Sequence, residues 1–340
     1  MKKIKITQKL LNKDFLFIFF NKKINWLNFK FKIEDINIYP IKKELTKKLH
    51  LVIIYNVFIK DLSQKESIKK IKIVCNTKED DSRYKTYKVN EYFFEKKIKV
   101  PKPLFYEKKL KSFFYKGILG QNLLEKIKKN KDRCELEKIF KSIALELAKI
   151  HSLPPKRFLK KIKVNKKQLD PSGLLKNSSH QKEVFSIFKK IRKEFKKINK
   201  KDFVVSHGDF HLENIILSKK ENIYLIDFSD SGLYPFTYDL GFFLKQFKHM
   251  SFSLLSEEEK NHLKEIFIET YFKKTKREIT PETIRQINLF KTLVSLKSSV
   301  YYNSFDSPNK NEMIKESLSG CQKILKNINQ DLWTKKQINI

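Results

Sequence analysis

The amino-acid sequence predicts an α+β fold of two lobes, a small antiparallel-sheet lobe at the N-terminus and a larger, mostly helical lobe after it. Three observations support this prediction. Short β-rich runs dominate the first hundred residues, and apolar residues at helical spacing dominate after residue 136. The chain has 340 residues, of which 40% are hydrophobic, so it is long enough to bury a core in each lobe.

The predicted sheet begins with two neighbouring strands. Leu51–Ile59 and Ile71–Cys75 are rich in Ile and Val, and a polar connection separates them. Strands joined by a short loop pair in antiparallel fashion, so a meander is expected. Alternating residues at 28–33 predict an earlier strand. Leu104–Tyr106 and Ser112–Tyr115 predict a further pair around a Lys-rich turn.

The helices are predicted from spacing and from stop signals. Residues 80–97 form a helix with Asp81 or Ser82 as its N-cap, and Pro101 and Pro103 follow its end. Strands are predicted before Gly117 and helices after it, so the sequence divides into domains at 1–116 and 117–340. Further helices are predicted at 136–151, 181–200, 256–274, 281–304 and 310–329.

The apolar run Phe15–Phe20 is too short for a signal-peptide core or a membrane span. A buried strand and one face of a helix both remain open for it. No other stretch resembles a membrane span. Three isolated cysteines argue against a disulfide framework, so a reducing, cytoplasmic location is expected.

The formal net charge of +36 raises the question of a polyanionic partner. Only six of the 74 basic residues are arginines, although arginine is the residue that makes bidentate contacts to phosphate and guanine. The lysines are spread along the whole chain. We therefore interpret the charge as a solvated basic surface with a weak general attraction for polyanions and no specific nucleic-acid partner.

The segment 203–243 carries the residues that point to chemistry. It reads as a short strand, a polar loop from Ser206 to Glu213 and a hairpin whose second strand ends at Asp227. A loop and the end of a hairpin strand adjoin one point, so we expect Asp209, Asn214 and Asp227 to lie near each other.

These three residue types suit phosphoryl transfer. The reaction needs a carboxylate that positions the attacking hydroxyl, and oxygen ligands that hold Mg²⁺ on the nucleotide phosphates. Asp209 suits the first task. Asn214 and Asp227 suit the second, because an amide oxygen and a carboxylate leave room around the ion for phosphate oxygens and water.

The motifs resemble those of the aminoglycoside phosphotransferase and choline kinase superfamily. His207-Gly208-Asp209 is followed by Asn214 and then by Ile-Asp-Phe ending at Phe228, similar to the family pattern H-G-D-x-x-x-x-N and I-D-[FW]. Weaker similarities lie in the Pro-rich segment 100–103, in the hinge-like segment 115–123 and in the Leu-Ala-Lys-Ile-His run at 147–151.

The resemblance implies a protein-kinase-like fold with ATP and Mg²⁺ as cofactors. It implies that 1–116 is the nucleotide-binding lobe and that 117–340 holds the catalytic loop and the substrate site. The implied roles are catalytic carboxylate for Asp209, magnesium ligands for Asn214 and Asp227, and support of the loop for His207 and Asp239.

The nucleotide-binding half departs from the family pattern. No glycine precedes Gly117, so a glycine-rich phosphate loop is absent or built from other residues. The third strand of the family carries a lysine for the phosphates. Lys72 and Lys78 are the candidates here, although the favoured alignment places Cys75 or Asn76 at that position. Tyr115 and Gly117 are expected to contact the nucleotide from the hinge-like segment, and Glu91 or Glu95 is the candidate helix partner of the lysine.

The leading hypothesis is a kinase that moves the γ-phosphate of ATP onto a hydroxyl of a small molecule: a sugar, an amino alcohol or an aminoglycoside-like compound. A catalytically impaired pseudokinase that binds nucleotide or a partner is the alternative. Acidic residues of the last helices do not identify a cationic acceptor, because Glu257–Glu259 is interpreted as a helix N-terminus.

Overall fold

A computed structural model describes residues 2–24, 30–44, 49–62, 67–80, 82–129, 132–162, 178–303 and 309–329. The chain forms two compact units. The first comprises Met1–Gln121 and Ile216–Ser229, and the second comprises Asn122–Ile215 and Asp230–Ile340. The functional division at 1–116 and 117–340 stays a prediction.

The first unit is built on an antiparallel sheet. Its helices are α1 (Lys2–Leu11), α2 (Lys13–Lys23) and α3 (Ser82–Glu95). Its strands are β1 (Phe31–Glu44), β2 (His50–Asp61), β3 (Ile68–Lys78), β4 (Pro103–Glu107) and β5 (Ser112–Lys116), in the spatial order β1-β2-β3-β5-β4.

One face of this sheet is covered by the N-terminal helices. Every second residue of β2 is buried, as expected for a strand with one face in the core. Leu16 and Phe20 of α2 pack with these residues, and the Tyr55 hydroxyl donates a 2.9 Å hydrogen bond to the Leu10 carbonyl of α1. The run Phe15–Phe20 is therefore part of a helix, which decides between the two alternatives left open above.

A second, smaller sheet has the order β6-β8-β9, with β6 at Gly120–Asn122, β8 at Ile215–Ser218 and β9 at Ile223–Leu225. The hairpin of β8 and β9 brings the chain to Asp227. The Leu225 N–H donates to the carbonyl of Lys99, which fixes β9 against the segment after α3.

The second unit is mostly helical. Its helices are α4 (Leu123–Lys129), α5 (Arg133–His151), α6 (Gln181–Phe195), α7 (Thr237–Met250), α8 (Glu257–Thr275), α9 (Pro281–Tyr302) and α10 (Lys310–Lys326). Strands β7 (Phe203–Ser206) and β10 (Gly232–Pro235) pair in antiparallel fashion.

The core of the second unit lies where α6, α7, α9 and α10 meet. Its buried members include Ile187, Phe242, Phe290, Leu293 and Leu318. Helix α5 packs separately against α8. Helices α5 and α7 belong to these two groups. Their ends, together with the β7–β10 pair, carry the residues around the catalytic loop.

The structure confirms the predicted α+β class and most predicted elements. Strands β2 to β5 and helices α3, α5, α6, α8, α9 and α10 lie within a few residues of their predicted positions. Helix α8 begins at Glu257 with Ser256 as N-cap, as the acidic run indicated. The first strand was placed too early, since β1 begins at Phe31. Residues 28 and 29 lie outside the described part of the chain.

Among the described residues, no helix combines the length and the hydropathy needed to cross a membrane. Cys75, Cys134 and Cys321 are free thiols.

Candidate active site

The loop that follows β7 is held in one shape by contacts at its first three residues. The Ser231 hydroxyl donates to the carbonyl of His207 at 2.8 Å, and the Asp209 N–H donates to His207 Nδ1 at 3.3 Å. Gly208 has φ of +88°, and a Cβ there would lie 2.3 Å from the Asp230 carbonyl oxygen. Only glycine fits this position, because both the backbone conformation and the space exclude a side chain.

Asp239, in the first turn of α7, joins this loop to two helices. Its carboxylate accepts hydrogen bonds from the backbone N–H groups of His207 at 2.8 Å and Gly208 at 2.9 Å. The same carboxylate lies 3.1 Å from Nε2 of His151, whose Nδ1 lies 2.6 Å from the hydroxyl of Tyr271. Asp239 and His151 are buried, so the loss of any one partner would leave a buried polar group without a hydrogen bond. These contacts support the interpretation of Asp239 and His207 as structural residues of the loop.

The loop brings Asp209 and Asn214 together. Asn214 Nδ2 donates to the Asp209 backbone carbonyl at 2.9 Å and to Asp209 Oδ2 at 3.1 Å. His211 lies against both residues. Its Nε2 is 2.9 Å from Asn214 Nδ2 and 3.4 Å from Asp209 Oδ2. The sequence assigned no role to His211, although it lies in the same six-residue loop.

The electrostatic surroundings keep Asp209 ionised. Burial alone would raise the pKa of this carboxyl. The hydrogen bond and the charge of His211 outweigh burial, and His207 and Asn214 act in the same direction, so the pKa of Asp209 lies below its ordinary value. A carboxylate in this state is an acceptor for a hydroxyl hydrogen at neutral pH.

Asp227 is placed by the hairpin of the first unit. It follows β9 with φ of +59°, a left-handed conformation that Asp adopts more readily than most residues. Its Oδ1 accepts the Ser229 N–H at 3.3 Å and lies 3.9 Å from Nη1 of Arg83. The next residue, Phe228, packs edge-to-face on Phe93 of α3. The predicted proximity of Asp227 to Asp209 and Asn214 stays a prediction.

The two lysines predicted for the nucleotide site lie apart on β3, Lys72 in the middle of the strand and Lys78 at its last residue. Lys72 Nζ donates to the carbonyl of Ile118 at 3.1 Å, and the Gly117 N–H donates to the carbonyl of Lys72 at 2.8 Å. Burial lowers the pKa of Lys72, and the charge of Lys70 adds to the effect. Lys78 is in register with His50 at the start of β2. The structure therefore places Lys72 at the hinge-like segment and Lys78 away from it.

Tyr115 and Gly117 occupy the end of β5 and the residue beyond its end. Burial raises the pKa of the Tyr115 hydroxyl, the charge of Asp227 adds to this, and the charge of Arg83 opposes it. Tyr115, Asp227 and Arg83 are thus within electrostatic range of each other. A Cβ on Gly117 would lie 2.6 Å from Lys72 Cγ, so the backbone passes directly over that side chain. The nucleotide contacts expected for Lys72, Lys78, Tyr115 and Gly117 stay predictions.

Of the two candidate helix partners of a strand lysine, Glu95 is the exposed last residue of α3, and Glu91 makes its contacts on its own helix. Glu91 accepts from the Tyr87 hydroxyl at 2.6 Å and from Lys88 Nζ at 2.7 Å, both on its own helix. These contacts involve no residue of β3.

Sequence reasoning missed four residues around the site: His151, His211, Arg83 and Lys297. His151 ends a recognisable motif, which was a usable signal. Arg83 also had a signal, because an arginine is rare in this lysine-rich chain. Lys297 of α9 had none. Burial lowers its pKa, whereas the charges of Asp230 and Asp209 raise it, which places Lys297 within electrostatic range of the catalytic loop.

Asn214 and Asp227 each offer an oxygen atom of the kind that a hard cation such as Mg²⁺ prefers, and that the two share one ion stays a prediction. Asn214 is oriented by the contacts of its Nδ2, so the amide oxygen is the atom that it has left for a cation. Asp227 supplies a carboxylate that is 38% exposed. Among the described residues, no group of three His, Cys, Asp or Glu side chains could hold a metal. An amide and a carboxylate with phosphate oxygens and water would complete the coordination that Mg²⁺ prefers.

Solved structures with the same fold include several kinases. An amicoumacin kinase in complex with AMP-PNP, Ca²⁺ and Ami has a TM-score of 0.65 at 15% identity, covering 94% of this chain and 96% of that one. Choline kinase from Cryptosporidium parvum has a TM-score of 0.63 at 15% identity, with coverage of 93% and 96%. Spectinomycin phosphotransferase in complex with ADP and spectinomycin has a TM-score of 0.59 at 15% identity, with coverage of 94% and 98%. At this identity the similarity establishes the kinase-like fold predicted from the sequence.

Among curated proteins, none matches the chain. The sequence profile of the phosphotransferase enzyme family matches residues 82–279, which is more than half of the chain and includes the whole loop from His207 to Asn214, Asp227 and Asp239. This match confirms the predicted superfamily and, with it, the predicted enzyme class of a small-molecule kinase. The chain belongs to the phosphotransferase enzyme family.

Proposed function

We propose that this protein transfers the γ-phosphate of ATP, with Mg²⁺, to a hydroxyl group of a small molecule. Asp209 is the catalytic carboxylate, Asn214 and Asp227 hold the metal, and His207 and Asp239 hold the loop that carries Asp209. The observation that carries the proposal is the 3.1 Å contact between Asp209 and Asn214 on a loop braced by a buried aspartate, in a chain that matches the phosphotransferase family.

Asp209 acts on the acceptor. Its carboxylate accepts a hydrogen bond from the attacking hydroxyl and so points an oxygen lone pair at the γ-phosphorus. As the new O–P bond forms, the bond to the β–γ bridging oxygen breaks and ADP leaves. The hydroxyl proton passes to Asp209 and then to solvent. Because the pKa of Asp209 is low, its main contribution is orientation, with the proton transferred late.

The remaining residues hold the phosphate side. A magnesium ion, when bound, would neutralise charge on the transferring phosphoryl group. Asn214 keeps its amide oxygen for that ion because Asp209 fixes its Nδ2. Asp227 supplies the carboxylate.

The acceptor is a small polar compound. The similar structures come from kinases of choline and amicoumacin and from a spectinomycin phosphotransferase, so amino alcohols, aminoglycoside-like compounds and sugars are the classes to test. Lys297 lies within electrostatic range of Asp209, so acceptors that carry a carboxylate or phosphate belong in the same panel.

The test is ATP turnover with Mg²⁺ against this panel, with the phosphorylated product identified by mass. We expect one class of hydroxyl compound to raise ADP release well above the rate with water as acceptor. Asp209→Asn should abolish that increase and leave ATP binding in place. Glu221→Gln, at an exposed residue of the turn between β8 and β9, is the control and should turn over as the wild type does.

Two outcomes would contradict the proposal. Turnover that survives Asp209→Asn would remove the assigned carboxylate. ATP binding without turnover on any member of the panel would favour the pseudokinase alternative.

A further inference from the structure

Strand β3 lacks a suitable cation where the family resemblance expects one. The favoured alignment puts Cys75 or Asn76 at that position. Cys75 belongs to the core under α1 and α2, and burial raises the pKa of its thiol to about 11. Asn76 Oδ1 is buried and accepts no hydrogen bond from the described residues. Lys72 is drawn to the Ile118 carbonyl at the hinge-like segment. A cation from another element is therefore a candidate for the ATP phosphates.

Helix α3 supplies a buried arginine near Asp227. Arg83 is in the first turn of this helix and is only 1% exposed, whereas the lysines in the other ion pairs described for the first unit are 37% to 68% exposed. Its Nη1 lies 3.9 Å from Asp227 Oδ1, and its Nη2 lies 3.2 Å from His50 Nε2. The guanidinium thus lies beside the carboxylate that we assign to the metal.

Arg83 also acts electrostatically on Tyr115, in the hinge-like segment of the same unit. It opposes the effects of burial and of Asp227 on the pKa of Tyr115, so all three groups share one electrostatic environment. It also contributes to lowering the pKa of Asp80, just before α3. The buried cation Arg83 therefore interacts electrostatically with a predicted metal ligand, Asp227, and with a predicted nucleotide contact, Tyr115.

Arginine suits a buried phosphate site better than lysine does. Burial readily lowers the pKa of a lysine, whereas a guanidinium stays charged in proteins. Its five N–H donors form a rigid fork, so one side chain can hold a carboxylate and a phosphate oxygen at the same time. Only six of the 74 basic residues of this chain are arginines, which makes an arginine at this position more informative.

We propose that Arg83, from helix α3, is the phosphate-binding cation of the nucleotide site and takes the place of the missing strand lysine. The inference rests on the proposed function, since it assumes that Asp227 lies beside bound ATP. Arg83 would bind a phosphate oxygen directly and hold Asp227 in the orientation that the metal requires.

The test separates binding of the phosphates from binding of the nucleoside. The dissociation constants of ATP and of adenosine are measured by calorimetry, once with Mg²⁺ and once with EDTA, and no turnover is needed. In Arg83→Met we expect ATP affinity to fall by roughly ten- to a hundredfold, the value of one or two lost charged hydrogen bonds, with adenosine affinity unchanged. The loss should persist in EDTA. Arg83→Lys should retain part of the preference for ATP over adenosine.

Competing assignments are tested with the same measurements. Lys72→Met and Lys78→Met are the rival variants, and Arg133→Met, an exposed arginine of α5, is the matched control. The proposal is overturned if Arg83→Met keeps the wild-type ratio of ATP to adenosine affinity, or if Lys72→Met or Lys78→Met removes that ratio instead. It is also overturned if the wild-type protein binds ATP no better than adenosine.

Loss of the fold can be distinguished from loss of a contact. Unchanged adenosine affinity and a cooperative thermal transition show that a variant is folded. If Arg83→Met does not fold, Arg83→Lys decides, because a structural ion pair with Asp227 predicts wild-type ATP affinity in that variant and a phosphate fork predicts a weaker one. A wild-type protein that binds ATP in an Arg83-dependent way without turnover would refute the proposed function and leave the role of Arg83 standing.

Discussion

At the scale of single residues, the candidate site is governed by contacts that set the charge of Asp209. A partly buried carboxyl would ordinarily hold its proton more tightly. Here His211 reverses that tendency through a hydrogen bond and its charge. The position of His211, 3.4 Å from Asp209 and 2.9 Å from Asn214, makes it a positioning residue for both.

Replacing His211 should move the pH dependence of the reaction. In His211→Ala the pKa of Asp209 loses its main lowering influence and rises, so the acid limb of the profile of kcat/KM against pH moves to higher pH. We expect kcat to fall by roughly ten- to a hundredfold, as when a group that orients a functional ligand is removed. His262→Ala, a histidine paired with Glu137 on other helices, serves as the control. An acid limb that stays in place would show that His211 does not set the charge of Asp209.

Lys264 of α8 is a buried residue whose ionisation, unlike that of Asp209, is costly. It is 5% exposed, and burial lowers its pKa to about 8, with Lys248 and Lys260 acting in the same direction and Glu257 opposing. In the unfolded chain a lysine has a pKa of about 10.4. Between about pH 8 and pH 10.4 the unfolded state therefore binds more protons, so this residue makes stability rise with pH across that window. Below about pH 8 its full cost is present.

Removing that charge should stabilise the fold. Lys264→Met is expected to raise the free energy of unfolding by about 1–3 kcal/mol at pH 7, less the hydrogen bond to Asn261, and the gain should shrink as pH approaches about 10. Urea unfolding at several pH values measures it. Lys273→Met, an exposed neighbour on α8, should show no such trend. A constant difference between Lys264→Met and wild type at every pH would contradict the explanation.

At the scale of secondary-structure elements, helices α7 and α9 owe their close approach to a glycine. A Cβ on Gly241 would lie 2.6 Å from the Ile287 carbonyl oxygen and 2.8 Å from Phe290 Cβ. Helix α7 also carries Asp239, so the distance between these helices determines where the support of the catalytic loop lies.

Two helical glycines should respond to alanine in opposite directions. Gly241→Ala is expected to destabilise the protein by about 1–3 kcal/mol, because α7 and α9 must move apart. Gly320→Ala in α10 should stabilise it by about 0.5–1 kcal/mol, since nothing lies within 4 Å of the added Cβ and alanine has the higher helix propensity. Urea unfolding of both variants checks this. The same sign for both would mean that local propensity, and not helix contact, controls Gly241.

At the scale of the whole molecule, the net charge of +36 acts on stability as well as on partners. Many like charges on a folded chain repel each other and destabilise the compact state. The surface ion pairs contribute little individually, because exposed pairs are screened by water and salt.

Salt should therefore raise the melting temperature. From about 0.01 M to about 0.15 M NaCl the Debye length falls from about 30 Å to about 8 Å, and the repulsion between surface lysines falls with it. Thermal unfolding at a series of NaCl concentrations measures the effect, with an uncharged solute such as sorbitol at equal osmolality as the control. A melting temperature that is flat or falling with NaCl would show that the charge does not limit stability.

Local patterns in the sequence were sufficient to predict most helices and strands and the residues of the catalytic loop. The alternation in β2 and the apolar spacing in α5 are short-range signals, because side-chain direction repeats every two residues in a strand and about every 3.6 in a helix. The contact between Asp209 and Asn214 is also local, since the two residues are only five positions apart in one loop. The family and fold class followed from these signals.

Contacts between distant parts of the chain were decided by the tertiary structure alone. His151 meets Asp239 across 88 residues, and Arg83 meets Asp227 from the other end of its unit. No short-range period encodes such a meeting, because it depends on how whole helices and strands pack. The sequence by itself therefore determined the family, the α+β class and the catalytic loop. The packing of α3, α5 and α7 decided which buried groups brace that loop and which cation lies beside Asp227.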